Sequence, residues 1–171
     1  MRIWQSRRVG ILLLLFLGQA NAQTIVTPLT PTNNITNYLQ LVAAVESGND
    51  VRAIIHFDNC EVKGPELQAQ IRKQLDGATT RFNFTQFFHG KKNVNDHLMD
   101  TVTTSMKIFI ESSSGEFLTL SGRLSIFEDN TATLHVDFFD PILHKQKLVV
   151  DWFCAISNGE DNNGLVLFNF S

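Results

Sequence analysis

The sequence is poor in the residues that mark several large protein classes. Its 171 residues include only two cysteines, four prolines and one tyrosine, and charged residues make up 18%. Two cysteines are too few for a disulfide-dense small domain. A hydrophobic content of 43% excludes a disordered or collagen-like chain. The length and this composition instead fit one globular domain.

The first 22 residues have the composition of an export signal. Three arginines lie within the first eight residues, an apolar stretch over 10–18 follows, and Ala20-Asn21-Ala22 forms a small-x-small cleavage pattern. The apolar stretch is far shorter than the roughly 18 residues that a membrane-spanning helix needs. We therefore predict a signal peptide over residues 1–22, with an uncleaved anchor as the alternative. Cleavage after Ala22 would leave a secreted or periplasmic chain without a transmembrane segment.

The predicted mature chain is acidic. Removing the signal takes three arginines and no acidic residue, which leaves 11 basic and 17 acidic side chains and a net charge of −6. Nucleic acids and anionic membranes bind basic surfaces. We therefore expect no nucleic-acid partner.

The start of the mature chain divides into an arm and a short helix. Residues 23–34 contain two prolines and show no hydrophobic period, so we predict an extended N-terminal arm, followed by a single domain over 35–171. A helix is predicted over 36–47, with Gly48 as its C-terminal stop. Its turns are marked by Leu39, Val42, Ala43 and Glu46. A second short helix over Pro65–Leu75 is a further expectation.

Most of the remaining chain alternates between apolar and polar residues, which is typical of β-strands. A polar loop is predicted over 89–98. Strands are predicted over 51–57, 79–88, 106–110, 118–126, 132–138, 147–156 and 165–170. The inward-facing positions of the C-terminal strands are Met106, Ile108, Ile110, Leu118, Leu120, Leu124, Ile126, Ala132, Leu134, Val136, Phe138, Leu148, Val150, Trp152, Cys154 and Ile156.

These elements predict an α+β fold. Short turns between consecutive strands favour antiparallel neighbours, and one apolar face per strand favours a sheet with one dry side. We expect the N-terminal helix to pack on a curved antiparallel β-meander of about six or seven strands. A small closed β-barrel is the alternative.

The two cysteines, Cys60 and Cys154, are expected to form a disulfide. The export signal sends both to an oxidising compartment, and Cys154 lies on the apolar face of its predicted strand beside Trp152. Two free buried thiols remain an alternative. A catalytic thiol is disfavoured because no histidine pattern accompanies either cysteine.

Two segments carry a family resemblance. Leu41–Cys60 contains a leucine-bearing helix, Gly48, an apolar strand and then Phe57-Asp58-Asn59-Cys60, and Asp151-Trp152-Phe153-Cys154-Ala155-Ile156 follows far downstream. This pattern resembles the VirK-like family of small secreted or periplasmic proteins. The resemblance implies export, one disulfide and an association with virulence or host interaction in bacteria. It implies no catalytic residues.

A candidate surface cluster lies on the outward faces of two C-terminal strands. If residues 128–130 form the turn between them, Arg123 lies opposite His135 and Ser121 lies opposite Asp137. The next strand would bring Lys147 beside Asp137. Such charge pairs are common on exposed sheet faces, so Arg123, His135 and Asp137 are a candidate site beside a purely structural interpretation.

No sequence motif of hydrolases, metalloproteases or phosphate-binding loops is present. His89, Asp96, His97 and Asp100 have side chains that suit zinc or manganese. Their spacing matches no known metal site, so we assign no metal, cofactor or catalytic residue. Three glycosylation sequons occur, at Asn34, Asn83 and Asn169.

Phenylalanine is over-represented, with 14 copies. The pairs Phe87-Phe88 and Phe138-Phe139 each turn one ring away from the dry face of a sheet, into a second core layer or onto an exposed apolar surface. Our leading hypothesis is an exported non-enzymatic protein that acts through protein–protein contacts with a host or envelope component. The alternative is a carrier of a small apolar ligand or lipid, and a third hypothesis is a hydrolase that uses Arg123 and His135.

Overall fold

The structure, a computed structural model, describes residues 33–62, 77–111, 115 and 117–170. The predicted signal peptide, most of the predicted arm and the predicted helix over Pro65–Leu75 lie outside the described residues. Asn33 and Asn34, which we assigned to the arm, begin the first strand.

Ten strands, one α-helix and a 3-10 turn over Phe57–Asn59 make up the described secondary structure. The helix is α1 (Tyr38–Glu46). The strands are β1 (Asn33–Ile35), β2 (Asp50–His56), β3 (Glu61–Val62), β4 (Thr79–Asn83), β5 (Phe87–Val94), β6 (His97–Glu111), β7 (Phe117–Phe127), β8 (Thr131–Asp140), β9 (Lys145–Ala155) and β10 (Leu165–Phe170). The fold therefore has the predicted helix but is richer in strands than predicted.

Helix α1 has the predicted position and a different buried face. Asn37 caps its first turn by accepting a hydrogen bond from the backbone N–H of Gln40 at 3.0 Å, and Gly48 follows with a φ of +77°. Leu39, which we expected on the apolar side, is 78% exposed. The packed face recurs every three to four residues instead. Its buried residues are Tyr38, Leu41, Ala44 and Val45.

The strands form two antiparallel sheets. The larger sheet has the order β3-β9-β8-β7-β6-β5, so β5 to β9 form the predicted meander, and the smaller sheet has the order β1-β10-β2-β4. Each described sheet ends in two edge strands. The alternative of a small closed barrel is therefore wrong.

The segment over 79–98 differs most from prediction. We expected one strand followed by a polar loop, but the chain forms β4, then β5, and then turns into β6. Asn95 and Asp96 have φ values of 50° and 64°, the left-handed pair that a two-residue hairpin turn requires. The strand was missed because most side chains of β5 are exposed, so its sequence lacks hydrophobic alternation.

The core lies between the two sheets, and α1 closes one end of it. The Tyr38 backbone N–H donates to Asn130 Oδ1 at 2.7 Å, which holds the helix at the β7–β8 turn. Gly122 provides space for the smaller sheet, because a Cβ atom at this position would lie 3.0 Å from Phe82 Cζ. Fully buried side chains include Leu41, Val51, Ile55, Phe82, Leu124, Ile126, Leu134, Leu165 and Leu167.

The two ends of the larger sheet differ in burial. We call residues 101–104, 124–134 and 150–155 the covered end, and residues 106–111, 117–121 and 138–149 the open end. The predicted inward positions are buried at the covered end, as Leu124, Leu134 and Trp152 illustrate. At the open end Ile108 and Leu148 keep the predicted inward register, but both are exposed because no second layer covers them.

Candidate functional site

The open end presents a group of exposed apolar side chains. Phe109 is 76% exposed and Ile142 is 69% exposed. The whole group, which we call the open-end apolar surface, consists of Ile108, Phe109, Phe117, Ile142, Leu143, Leu148 and Val149. It spans both faces of the sheet: Ile108 and Leu148 lie on the inward face, whereas Phe109, Phe117 and Val149 lie on the outward face. Concentrated exposed apolar residues of this kind mark interaction surfaces more often than single exposed side chains do.

The pairing of the strands explains why this end is open. Strand β5 pairs with β6 only as far as Thr104, and β3 pairs only with Trp152 and Phe153 of β9. Among the described strands, the open end therefore consists of β6 to β9 alone. The described ends of β6 and β7, together with the β8–β9 turn, extend beyond the part of the sheet that pairs with β3 and β5.

An apolar cavity of about 270 Å³ lies where the covered end meets the open end. The Phe57 and Trp152 rings pack against each other there with centroids 4.9 Å apart. Leu148 belongs to both this cavity and the open-end apolar surface, so the inward-facing part of that surface is continuous with the cavity. The described lining residues are Phe57, Thr80, Met106, Leu120, Leu134, Val136, Phe138, Leu148, Val150 and Trp152.

The predicted surface cluster is partly assembled on the other face of the larger sheet. Arg123 lies opposite His135 and Ser121 lies opposite Asp137, as predicted. The prediction that Lys147 lies beside Asp137 is wrong, and Asp137 has a different partner. Its Oδ1 accepts a hydrogen bond from Gln146 Nε2 at 3.1 Å.

Lys147 instead places its Nζ 3.4 Å from Asp140 Oδ2. A register shift between Phe138 and Phe139 moves the start of β9 relative to β8 and causes this difference. Asp140 also accepts hydrogen bonds from the backbone N–H groups of Leu143 and Ile142, at 2.9 and 3.0 Å. These bonds, that of Leu143 first, hold the pKa of the Asp140 carboxyl below its usual value.

Sequence reasoning missed Asp151, the main partner of His135. The two residues are direct neighbours on β8 and β9, and His135 Nδ1 lies 2.8 Å from Asp151 Oδ1. The alternation of β9 already puts Asp151 on the outward face, next to inward Trp152. The missing information was the register across the β8–β9 turn, which the bulge determines.

The candidate metal residues do not form one site. His89 Nε2 lies 3.0 Å from Asp100 Oδ2, while Asp96 and His97 lie at the hairpin turn, at the other end of β5 and β6. The part of the chain that the structure describes contains no group of three histidine, cysteine, aspartate or glutamate residues placed to hold a metal ion.

His89 is instead held between two carboxylates. Its Nδ1 lies 2.7 Å from Glu46 Oε1 of α1, opposite the contact with Asp100. The hydrogen bond to Asp100 is the largest cause that raises the pKa of His89, and the same bond lowers the pKa of Asp100. Burial first, and then the charge of Asp100, raises the pKa of Tyr38. This cluster ties α1 to the β5–β6 hairpin.

The predicted disulfide is present. Cys60 and Cys154 are bonded, with their Cα atoms 4.6 Å apart, and the bond links the 3-10 turn to β9 at the covered end. Gly164 packs directly against this bond: a Cβ atom there would overlap Cys60 Sγ and lie 2.9 Å from two backbone oxygens. Position 164 therefore requires glycine.

The three sequons differ in accessibility. Asn34 on β1 and Asn83 on β4 are exposed, whereas Asn169 on β10 is half-buried. Glycosylation at these sites stays a prediction. Within the described residues, no helix is long and apolar enough to cross a membrane.

Comparison with known proteins gives a family and a fold. The profile described as VirK protein matches residues 34–142, which is more than half of the chain. The crystal structure of lpg1832, a VirK family protein from Legionella pneumophila, superposes with a TM-score of 0.56 at 14% identity, covering 79% of this chain and 98% of that one. No curated protein matches. At this identity the superposition shows the shared fold, and the profile match shows that the chain belongs to the VirK family.

Proposed function

We propose that this chain is an exported, non-enzymatic binding protein whose open end holds an apolar segment of a protein partner. Support for export comes from the signal-like leader and from the Cys60–Cys154 disulfide, since disulfides persist in oxidising compartments. Support for binding comes from the open-end apolar surface and the cavity that continues from it. The partner would be a host or envelope component.

The size of the cavity favours a protein partner over an enclosed lipid. Small-molecule sites usually measure about 300–1,000 Å³ and surround most of their ligand. The cavity here measures about 270 Å³ and is continuous, through Leu148, with the exposed inward-facing side chains of the open end. One or two apolar side chains of a partner fit the cavity, while the surrounding surface contacts the rest of the segment.

A second candidate function is transport of a small apolar ligand. The observation that favours it is the lining of the cavity, in which Thr80 is the single polar member among the described residues. A lipid would need more volume than the cavity offers. A compact apolar molecule would fit.

Site-specific photo-crosslinking tests the proposal. A photoreactive amino acid at Leu148 would be activated in the exporting cell or its host, and the products would be analysed by mass spectrometry. The matched control is Leu39, which is also an exposed leucine but lies on α1, away from the cavity. We expect a discrete protein adduct from position 148 and none from position 39.

The competing functions give different products in the same experiment. A small apolar molecule attached at position 148, with a matching extra mass in the native spectrum, would favour the carrier function. A dimer of this chain would show that the open end binds a second copy. No adduct at 148, together with no binding of an apolar dye to the wild-type protein, would refute both binding functions.

A further inference from the structure

A groove crosses the outward face of the larger sheet, away from the apolar cavity. Two clefts of about 400 and 540 Å³ make up the groove, and Arg123 and His135 line both of them. The tip of the β5–β6 hairpin, at Val94 and Asn95, forms one wall and faces Phe153 of β9. Because the hairpin curls over the sheet, this polar face is concave. We propose that this outer groove binds an acidic oligosaccharide, with a carboxylate of the sugar at Arg123 and a sugar hydroxyl at His135.

Arg123 is free to bind an anion from solution. The two carboxylates nearest to it in the sheet are already engaged, since Asp151 contacts His135 and Asp137 accepts a hydrogen bond from Gln146. Within the described residues, no ion pair of Arg123 is formed. Asp151 accepts a hydrogen bond from Nδ1 of His135 and thereby leaves Nε2 of the ring as an acceptor for a sugar hydroxyl. Guanidinium groups bind carboxylates through two parallel hydrogen bonds.

The charge of the groove favours an anionic ligand. Its described lining contains three basic side chains, Lys92, Lys107 and Arg123, and two acidic ones, Asp137 and Asp151. The full chain has the opposite balance, with 17 acidic and 14 basic residues. The groove therefore has one more basic than acidic side chain although the chain as a whole is acidic, and this local balance favours an anion over a cation.

The remaining lining favours a sugar over a nucleic acid. Neutral hydroxyl and amide side chains, including Asn93, Ser121 and Thr133, line the groove beside the Phe153 ring. Such groups donate and accept hydrogen bonds, as sugar hydroxyls require. Nucleic-acid binding commonly uses about six to ten phosphate contacts from basic residues. Three basic side chains are too few for that mode.

Calorimetric titration of the full mature protein with defined trisaccharides tests the proposal. The probes are a galacturonic acid trimer and a sialylated trisaccharide, each paired with its neutral methyl ester. The variants are R123Q and, as a matched control, R81Q, which changes an exposed arginine on β4 of the other sheet. We expect at least one acidic probe to bind more tightly than its ester, and R123Q to weaken that binding about tenfold or more. R81Q should leave it unchanged.

Several results would overturn the proposal. These are no binding of either acidic probe, equal binding of acid and ester, or equal weakening by R123Q and R81Q. Inorganic phosphate that binds as tightly as the sugars would show a simple anion contact without sugar recognition. A single-stranded DNA oligonucleotide that binds more tightly than the sugars would show a polyanion surface instead.

Discussion

The covered end and the open end of the larger sheet are built from the same strands with the same alternation, yet they have different surroundings. Leu124 and Leu148 both occupy inward positions, and Leu124 is 0% exposed while Leu148 is 42% exposed. At the covered end, helix α1 and the smaller sheet supply the second layer. At the open end, the described strands β6 to β9 continue without β3 or β5 beside them.

This difference in burial bears on the stability of the fold and on the proposed binding function. An apolar side chain that leaves water on folding stabilises the native state, by about 25 cal/mol for each Å² buried. The covered end therefore accounts for most of the hydrophobic stabilisation of this sheet. The same residue types at the open end remain partly in contact with water, so under the proposed function their burial would contribute to binding of the partner.

The largest expected effect concerns the bond that anchors the covered end. Replacing both Cys60 and Cys154 with alanine should lower the free energy of unfolding by about 4–5 kcal/mol, because the bond closes a loop of 94 residues in the unfolded chain. Urea unfolding of the variant and of the wild type would measure the loss. A loss that reducing agent does not reproduce in the wild type would show that packing of the sulfurs, and not the cross-link, is responsible.

A matched pair of leucines tests the comparison directly. Leu124→Ala should cost about 2–5 kcal/mol, because it leaves a cavity in the covered end. Leu148→Ala should cost about 0.5 kcal/mol or less, as expected for an exposed position. Chemical denaturation of both variants gives the two values. Equal costs would mean that the open end is packed as tightly as the covered end.

Gly122 tests the contact between the two sheets. Gly122→Val should destabilise the protein by about 1–3 kcal/mol, because the added side chain meets Phe82 of the smaller sheet and Met106 of the neighbouring strand β6. Ser121→Val, the adjacent residue on the outward face, serves as the control and should cost less. Thermal unfolding of the two variants compares them. A larger loss of stability for Ser121→Val would show that the tightly packed contact lies on the outward face and not at Gly122.

The smallest expected effect is the pH dependence contributed by His89. Its pKa is raised in the folded state, so its stabilising contribution is fully present below about pH 6.5, the usual unfolded value, and is lost as the pH rises through the raised folded value. For Asp100 the pKa is lowered, so its contribution is present above its ordinary value and is lost as the pH falls through the lowered one. The cluster therefore stabilises the fold most at mildly acidic pH.

Comparing the wild type with His89→Asn at pH 5 and pH 9 measures this effect. The difference in unfolding free energy should be about 0.5–1 kcal/mol larger at pH 5, a size typical of ion pairs near a surface. His97→Asn, at the exposed hairpin turn, is the control and should show no such change. An equal pH dependence in both variants would show that the contacts of His89 with Glu46 and Asp100 do not stabilise the fold.

Sequence alternation predicted the C-terminal meander and the Arg123–His135 pairing because short turns fix which residues lie opposite each other. Prediction from alternation failed where a β-bulge changed the register or where an exposed strand had no alternation of apolar and polar residues. The bulge at Phe138 and Phe139 moved Lys147 from Asp137 to Asp140. Residues 89–94 of strand β5 were predicted as part of a loop because their side chains do not alternate in polarity.

The chain alone determined the position of α1 and the apolar face of each C-terminal strand, because these depend on local composition and on the periods of helices and strands. With only two cysteines it also limited an internal disulfide to Cys60–Cys154, but the fold decided that the two sulfurs meet. Tertiary structure decided how far each apolar face is covered. It also decided which carboxylates reach His89 and His135, since Glu46 and Asp151 come from other elements. Burial is a property of neighbouring layers, and those layers come from distant parts of the chain.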